Sequence, residues 1–444
     1  MARAKEVERQ PGGTTLIATV GLAIAFLLYT GFPNVFSSGN LLGESNLLFA
    51  TLVFYAGAAA LYLGFGVTGT ESYVKFASLA TWLGLIANTA AVAHRWYSAG
   101  HPPFTNVYEM LLSFVWTLAV LTLIAEKKFG VKVIGTVTMP VAIVGVVLMQ
   151  MLRTEVHPLA PLLQSNWLSV HVSLAILAYA ACALSFALAT MFLIQDKVKT
   201  ETFLAVSSAS TLAIYAGIFG TSVARQGARL FAGILEPGWL MTLALLVAAT
   251  PLACYGLARW KKDDRFLTLA DRCVFASILL QGFTLAVFLL RNGAGDSLGD
   301  AGLFTTIPAA SPFILTGLVG GVLISLLYLL LVWRRPDLER LLPTADTLDR
   351  FTYRTICLAF PLLTLTIATG AYWANQTWGS YWSWDPKETW AAITWLVYAL
   401  FLHMRITNGW RGRRAAYFAI AGFAVVIFTF FGVPYLLRGL HRFA

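Results

Sequence analysis

The chain has 444 residues, of which 58% are hydrophobic and only 12% are charged, and its mean hydropathy is +0.73. A water-soluble protein of this length needs a more polar surface, so the composition excludes a soluble globular protein. The formal net charge of +10 would suit a nucleic-acid partner, but the positions of the basic residues favour a topology signal, and we expect no nucleic acid.

Apolar stretches follow one another along the chain, each near the length of about 20 residues that a helix needs to cross a bilayer. Backbone groups in hydrocarbon must bond internally, so we predict helices and not strands. The predicted fold is all-α, a polytopic integral membrane helical bundle of about 13 transmembrane helices. The predicted spans are 14–33, 47–68, 74–93, 108–125, 132–152, 169–194, 203–221, 239–258, 272–290, 312–333, 354–373, 388–404 and 415–435.

The basic residues are distributed unequally between the two sides of the predicted bundle. With the N-terminus in the cytoplasm, 23 of the 31 Lys and Arg residues fall on the cytoplasmic side and 8 on the outer side. Cytoplasmic loops of membrane proteins carry such an excess. We therefore predict that the N-terminus is inside, that the C-terminus is outside and that membrane lipid surrounds the protein.

The sequence lacks the residues that characterise several other functional classes. All 21 acidic residues lie in loops or close to a predicted span end, whereas ion-coupled transporters use carboxylates within the membrane. No Walker A sequence is present, so the chain by itself is not an ATPase. The cysteines form no CxxC pair and are interpreted as small buried apolar residues. They are Cys182, Cys254, Cys273 and Cys357.

One segment, 373–388, has the unusual sequence WANQTWGSYWSWDPKE. Tryptophan is favoured at the membrane–water interface, which explains the location of these rings but not their density. The cluster predicts a flat aromatic surface on which a large planar ligand stacks. Its central members are Trp378, Trp382, Trp384 and Trp390.

The end of this segment carries a start signal for a helix. Asp385 is a good N-cap, Pro386 suits the first helical position, and Glu388 falls at the third, which is a capping-box pattern. We predict that Asp385 and Glu388 cap the twelfth span. Direct contact of either carboxylate with a ligand is a second role, compatible with the first.

The stretch from Tyr353 through Arg405 resembles the tryptophan-rich WWD domain of the CcsA (ResC) haem-handling proteins. Three further stretches are similar to parts of that family, and the resemblance in all covers about half of the chain. RWYSAGHPPFTNVYE at 95–109 resembles an outer loop, SNWLSVHVSLAILAYAA at 165–181 resembles the segment with the first external histidine, and GLHRFA at the C-terminus resembles a terminal histidine motif.

The resemblance divides the chain into three regions. Residues 1–199 hold N-terminal membrane helices, the GHPPFTN loop and the first external histidine. Residues 346–444 form the WWD-type haem-handling region. Between them, 200–345 is interpreted as inserted membrane helices of unknown role.

Three histidines are candidate axial ligands of haem iron. A bis-histidine site needs two neutral imidazoles on opposite faces of the porphyrin. The predicted topology places His171 and His441 on the outer side with the tryptophan segment, and we predict that they ligate haem b together. His403 lies about 22 Å along the helix from Glu388. The resemblance implies that His403 binds a second haem before export, with a ligand from a CcsB (ResB) partner. Ordinary interfacial hydrogen bonding is the alternative for each.

Several further side chains are weaker candidates. His101, in the GHPPFTN stretch, is a candidate for contact with the haem edge or its propionates. Arg95, Arg438 and Arg442 are candidate propionate partners, because guanidinium pairs bidentately with carboxylate. His94 and His157 are interpreted as interfacial.

The resemblance implies a subunit of a System II cytochrome c synthase, a haem lyase of the cell membrane, or of the thylakoid membrane in a phototroph. Haem would pass from the cytoplasmic side to the extracytoplasmic face and meet an apocytochrome c with a reduced CxxCH motif. The implied partners are a CcsB/ResB-like membrane protein, the apocytochrome and a thiol-reducing thioredoxin-like protein. No catalytic residue is expected, since the addition chemistry belongs to haem and thiolate. The alternative is a haem transporter or delivery subunit without synthase activity.

Overall fold

A computed structural model describes residues 42–151, 163–199, 239–294 and 336–437, with isolated positions between these ranges. Within the described residues every regular element is a helix, so the all-α prediction is confirmed. The predicted spans at 14–33, 203–221 and 312–333 lie wholly or largely outside the described residues, as does the predicted ligand His441.

The helices with defined bounds are numbered here in chain order. They are α1 Glu44–Thr68, α2 Glu71–Ala99, α3 Val107–Phe129, α4 Gly135–Met151, α5 Asn166–Gln195, α6 Trp239–Lys261, α7 Arg265–Ala294, α8 Ala345–Trp378, α9 Pro386–Thr407, α10 Arg413–Ile427 and α11 Val433–Leu436. A π-helical turn, Phe428–Gly432, joins α10 to α11.

Eight segments of the described chain are long and apolar enough to cross a membrane, which makes this a multi-pass membrane protein. They are α1, α2, α3, α5, Arg265–Val287 of α7, α8, α9 and Arg413–Gly432. The span count of about 13 and the orientation of the chain stay predictions.

Helix α5 lies at the centre of the helices that carry the tryptophan segment. It packs most extensively against α8 and also against α3 and α10. Small side chains such as Ala181, Cys182 and Ser185 are fully buried along it, and small residues let membrane helices approach closely. The contact between α5 and α8 brings the beginning of α5, with His171, against the end of α8.

Helix α8 is longer than the predicted span at 354–373. It begins at Ala345, where the side chain of Thr344 accepts a hydrogen bond from the Thr347 N–H, and it continues to Trp378. Gly379 then ends it with a positive φ of 75°, a conformation that glycine adopts without a steric penalty. The first tryptophans of the segment are therefore helical, and only 379–385 forms the turn into α9.

Candidate functional site

A cleft opens at the end of the bundle where α5 begins, α8 ends and α9 begins. Its empty space, with the open mouth included, is about 1010 Å³. Most of its lining is apolar. The apolar lining includes Phe104, Met110, Leu163, Leu168, Val172, Ile176, Ile367, Trp373 and Phe430.

His171 is the one imidazole among the described residues that line this cleft. Its Nδ1 lies 2.8 Å from the backbone carbonyl oxygen of Thr366 on α8. A carbonyl can only accept, so the proton belongs on Nδ1 and the lone pair on Nε2. This is the arrangement in which protein histidines ligate metals, because the second hydrogen bond fixes both tautomer and ring orientation.

Two neighbours fix the plane of the His171 ring. The ring lies nearly parallel to that of Trp373, with an interplanar angle of 14° and centroids 6.4 Å apart. Gly370 lies one turn before Trp373 in α8 and leaves space for the imidazole. A Cβ on Gly370 would lie only 2.6 Å from His171 Cε1. The imidazole is therefore held on one side of the cleft by α8.

The rings of the tryptophan segment lie at large angles to one another, and the predicted flat surface is wrong for the described rings. Trp373 and Trp378 meet edge to face at 77°, and Trp382 and Trp384 meet at 90°. Of the four tryptophans central to the prediction, only Trp382 lines the cleft. Instead of the predicted platform, the rings form a corner with faces in different directions, because they lie on a helix end and in a tight turn.

Trp384 and Trp390 do not line the cleft, and their surroundings differ. Trp390, in the first turns of α9, packs against Phe428 with ring centroids 4.3 Å apart. Trp384 is 75% exposed and has a φ of 58°, a left-handed conformation that a bulky residue rarely adopts. Such a conformation costs on the order of 1–3 kcal/mol and persists only where the surrounding structure imposes it.

The capping interactions of α9 impose this turn, and the capping prediction is confirmed. The Asp385 side chain accepts a hydrogen bond from the Lys387 N–H at 3.0 Å, and a complete capping box links Asp385 and Glu388. Glu388 Oε2 also accepts from the Ser383 N–H at 2.8 Å. Both carboxylates therefore hold the turn beside the cleft, and their contact with a ligand stays a prediction.

Sequence comparisons place the chain in a family. A sequence model described as "Cytochrome C assembly protein" matches residues 104–235 and 208–441. The chain belongs to the CcsA family of cytochrome c biogenesis proteins. It is 35% identical over 406 residues to a protein of Picosynechococcus sp. named "Cytochrome c biogenesis protein CcsA", covering 89% of this chain and 94% of that one. It is 34% identical over 424 residues to the CcsA of Rippkaea orientalis, covering 92% and 98%.

Membership of the CcsA family assigns the protein to cytochrome c biogenesis. The second family match runs through most of the segment 200–345, so this segment belongs to the region that resembles the family. Its interpretation as inserted membrane helices stays a prediction. The role of its helices stays open.

In this CcsA-family chain the loop before α3 forms another wall of the cleft. Phe104 and Thr105 line the cleft, and Glu109 fixes the loop by accepting hydrogen bonds from the Thr105 N–H and hydroxyl. Arg95 is fully buried and donates to Glu109 Oε1 at 2.9 Å. The guanidinium of Arg95 is therefore used inside the fold, and the hypothesis that it pairs with a propionate is not supported.

The remaining predicted residues lie away from the cleft or outside the described chain. His101 is buried, with Nδ1 3.0 Å from the Pro102 carbonyl oxygen, and it does not line the cleft. His403 is exposed near the far end of α9, two residues before Arg405. His441 and Arg442 lie outside the described residues, as does Arg438.

One polar residue of the cleft was not singled out from the sequence. Lys387, in the first turn of α9, is the only Lys or Arg among the described residues that line the cleft. Lys387 lies inside the capping motif, and the sequence pattern assigns roles only to the carboxylates of that motif, Asp385 and Glu388.

Proposed function

We propose that this CcsA-family protein holds haem b in the cleft and presents it to apocytochrome c at the extracytoplasmic face, as a subunit of a System II cytochrome c synthase. The observation that carries the proposal is His171: an imidazole fixed through Nδ1 by Thr366, inside an apolar cleft lined by aromatic rings. Haem needs both features, since its macrocycle is apolar and its iron takes neutral imidazole.

The described residues of the cleft suit a haem in two respects. When Nδ1 donates to Thr366, the lone pair of His171 belongs on Nε2, which is the atom that would ligate iron. Trp382 and Phe430 offer aromatic surface to the macrocycle. His441 would supply the second imidazole, and a histidine of the CxxCH motif would later replace one of the two. Neither of those ligands is part of the described structure.

The protein's part in the reaction is then positional. The bound haem supplies two vinyl groups, and the two reduced thiols of CxxCH add across them. The chain fixes the haem through His171, keeps water from its faces with the apolar lining and leaves the cleft open for the apocytochrome. A thioredoxin-like protein would keep the thiols reduced.

His403 supports a second haem position, which haem would occupy before it reaches the cleft. It lies exposed on α9, and the neighbouring Leu396 and Leu400 are 57% and 47% exposed. An exposed apolar helix face with one imidazole suits a partner helix that covers it and contributes the other ligand. A CcsB/ResB-like membrane protein is the partner that we propose.

Spectroscopy of the purified protein tests the proposal. Protein made with its partner in a haem-replete host should carry b-type haem with low-spin bis-histidine spectra. Protein that is free of haem under these conditions would contradict it.

A reconstituted reaction separates the synthase from the alternative, a haem transporter or delivery subunit. The haem-loaded protein and its partner are mixed with apocytochrome c and a thiol reductant, and covalent haem is detected on denaturing gels. Covalent holocytochrome supports a synthase. Transfer of haem without a covalent bond would show that the protein only delivers haem.

A further inference from the structure

Lys387 occupies a position that the helix start does not explain. It is the second residue of α9, after the N-cap Asp385 and Pro386. The N-terminus of a helix carries a partial positive charge, which favours carboxylates and disfavours a Lys ammonium there. Asp385 and Glu388 satisfy the helix start without it.

The ammonium of Lys387 lacks a hydrogen-bonding partner among the described residues, although it lies partly buried along the cleft. The charge of Asp385 interacts favourably with the ammonium, but Asp385 Oδ1 and Glu388 Oε2 already accept backbone N–H groups of the turn. A partly buried cation without a direct acceptor is unfavourable unless an anion binds to it.

We propose that Lys387 Nζ binds a carboxylate of the ligand in the cleft, namely a propionate of haem, and so determines which edge of the macrocycle faces α9. The inference rests on the proposed function, because it takes haem as the ligand. Haem carries both propionates on one edge, and the described lining contains a single cation that can recognise that edge. The vinyl groups then lie away from Lys387.

Binding titrations with two ligands test this role independently of turnover. The full-length protein, made in a haem-deficient host, is titrated with ferric haem and with haem dimethyl ester, whose propionates carry no charge. Wild type should bind haem about 10-fold to 100-fold more tightly than the ester, since a hydrogen bond to a charged group is worth that much.

Two substitutions test whether Lys387 causes the preference for haem over the ester. Lys387→Met should lose the preference for haem while its affinity for the ester stays at the wild-type value. Lys387→Arg should keep most of the preference, because the cation is retained. Lys75→Met is the matched control: Lys75 is exposed in the first turns of α2, and its loss should leave both affinities unchanged.

The ratio of the two affinities is measured within one preparation, so partial misfolding of a variant does not mimic the expected result. Equal binding of haem and ester by wild type, or an unchanged ratio in Lys387→Met, would overturn the role of Lys387 and leave the proposed function standing. If wild type bound neither ligand, the proposed function itself would fail.

Discussion

His171 and Gly370 face each other across the contact between α5 and α8, and the fit leaves no room for another atom. A Cβ at Gly370 would lie 2.6 Å from His171 Cε1 and 2.7 Å from Nδ1. Real Cβ contacts are essentially never that short, so any other residue at 370 must displace the imidazole. The glycine is thus needed for the position of the histidine.

The first prediction follows from this contact. Gly370→Ala should favour the helix locally, because alanine is the better helix former, yet it should push His171 away from Thr366. We expect a weaker haem affinity and a shift from low-spin to high-spin iron, read by absorbance. Gly57→Ala is the control, since Gly57 lies in α1 with open space around it. A Gly370→Ala protein with wild-type spectra would contradict the prediction.

The second prediction concerns the axial ligands of the proposed external haem. His171→Gly or His441→Gly leaves a coordination position that free imidazole can fill, because the cleft is open on one side. Holocytochrome c formation should fall in both variants and recover in part with added imidazole. Normal formation without imidazole would mean that these residues are not the ligands.

His403→Gly should behave differently from those two variants. The external site keeps its own ligands, but less haem should reach it if His403 binds haem on the way out. The measurement is the haem content of the protein purified from the same host. Full loading in the variant would contradict this role of His403.

The sequence pattern was sufficient to predict the helices and the capping box at the start of α9. The all-α membrane class and the capping box of Asp385 and Glu388 are both found in the structure. Both depend on local properties: apolar length for a span, and the spacing of Asp, Pro and Glu for a helix start. Local properties are visible in sequence.

The geometry of the cleft was not predictable in the same way. Gly370 and Thr366 support His171 from a helix 195 residues later in the chain, and no local pattern relates them. The angles between the tryptophan rings depend on where α8 ends at Gly379, so the predicted flat surface is wrong. Arg95, a candidate for ligand contact by its charge, is buried against Glu109.

The third prediction concerns topology. It rests on the basic residues, of which 23 lie on the predicted cytoplasmic side and 8 on the predicted outer side. A reporter active only outside the cytoplasm should be active when it is fused after Ala444. It should be inactive when it is inserted in the loop between α9 and α10, at 408–412. A reporter that fluoresces only in the cytoplasm should give the reverse pattern. If the two sites exchanged their behaviour, the cleft would face the cytoplasm and the proposed function would lose its basis.

The fourth prediction concerns Asp349 and Arg405, which join α8 to the far end of α9. The carboxylate and guanidinium form two hydrogen bonds of 2.8 and 2.6 Å, and both side chains are nearly buried. The N–H of Gly412 also donates to Asp349 Oδ1 at 3.1 Å. Asp349→Ala leaves the arginine buried without its partner, which typically costs about 3–5 kcal/mol.

We expect Asp349→Ala to lower the unfolding temperature markedly, and the double variant Asp349→Leu with Arg405→Met to recover much of the loss, because no charge is then left buried. Asp346→Ala is the control on the same helix. Its pair with Arg350 is 3.2 Å long but mostly exposed, so its removal should cost at most about 1 kcal/mol. Unfolding in detergent is followed by circular dichroism. If Asp349→Ala and Asp346→Ala unfolded at the same temperature, the buried pair would not hold the end of α9 in place.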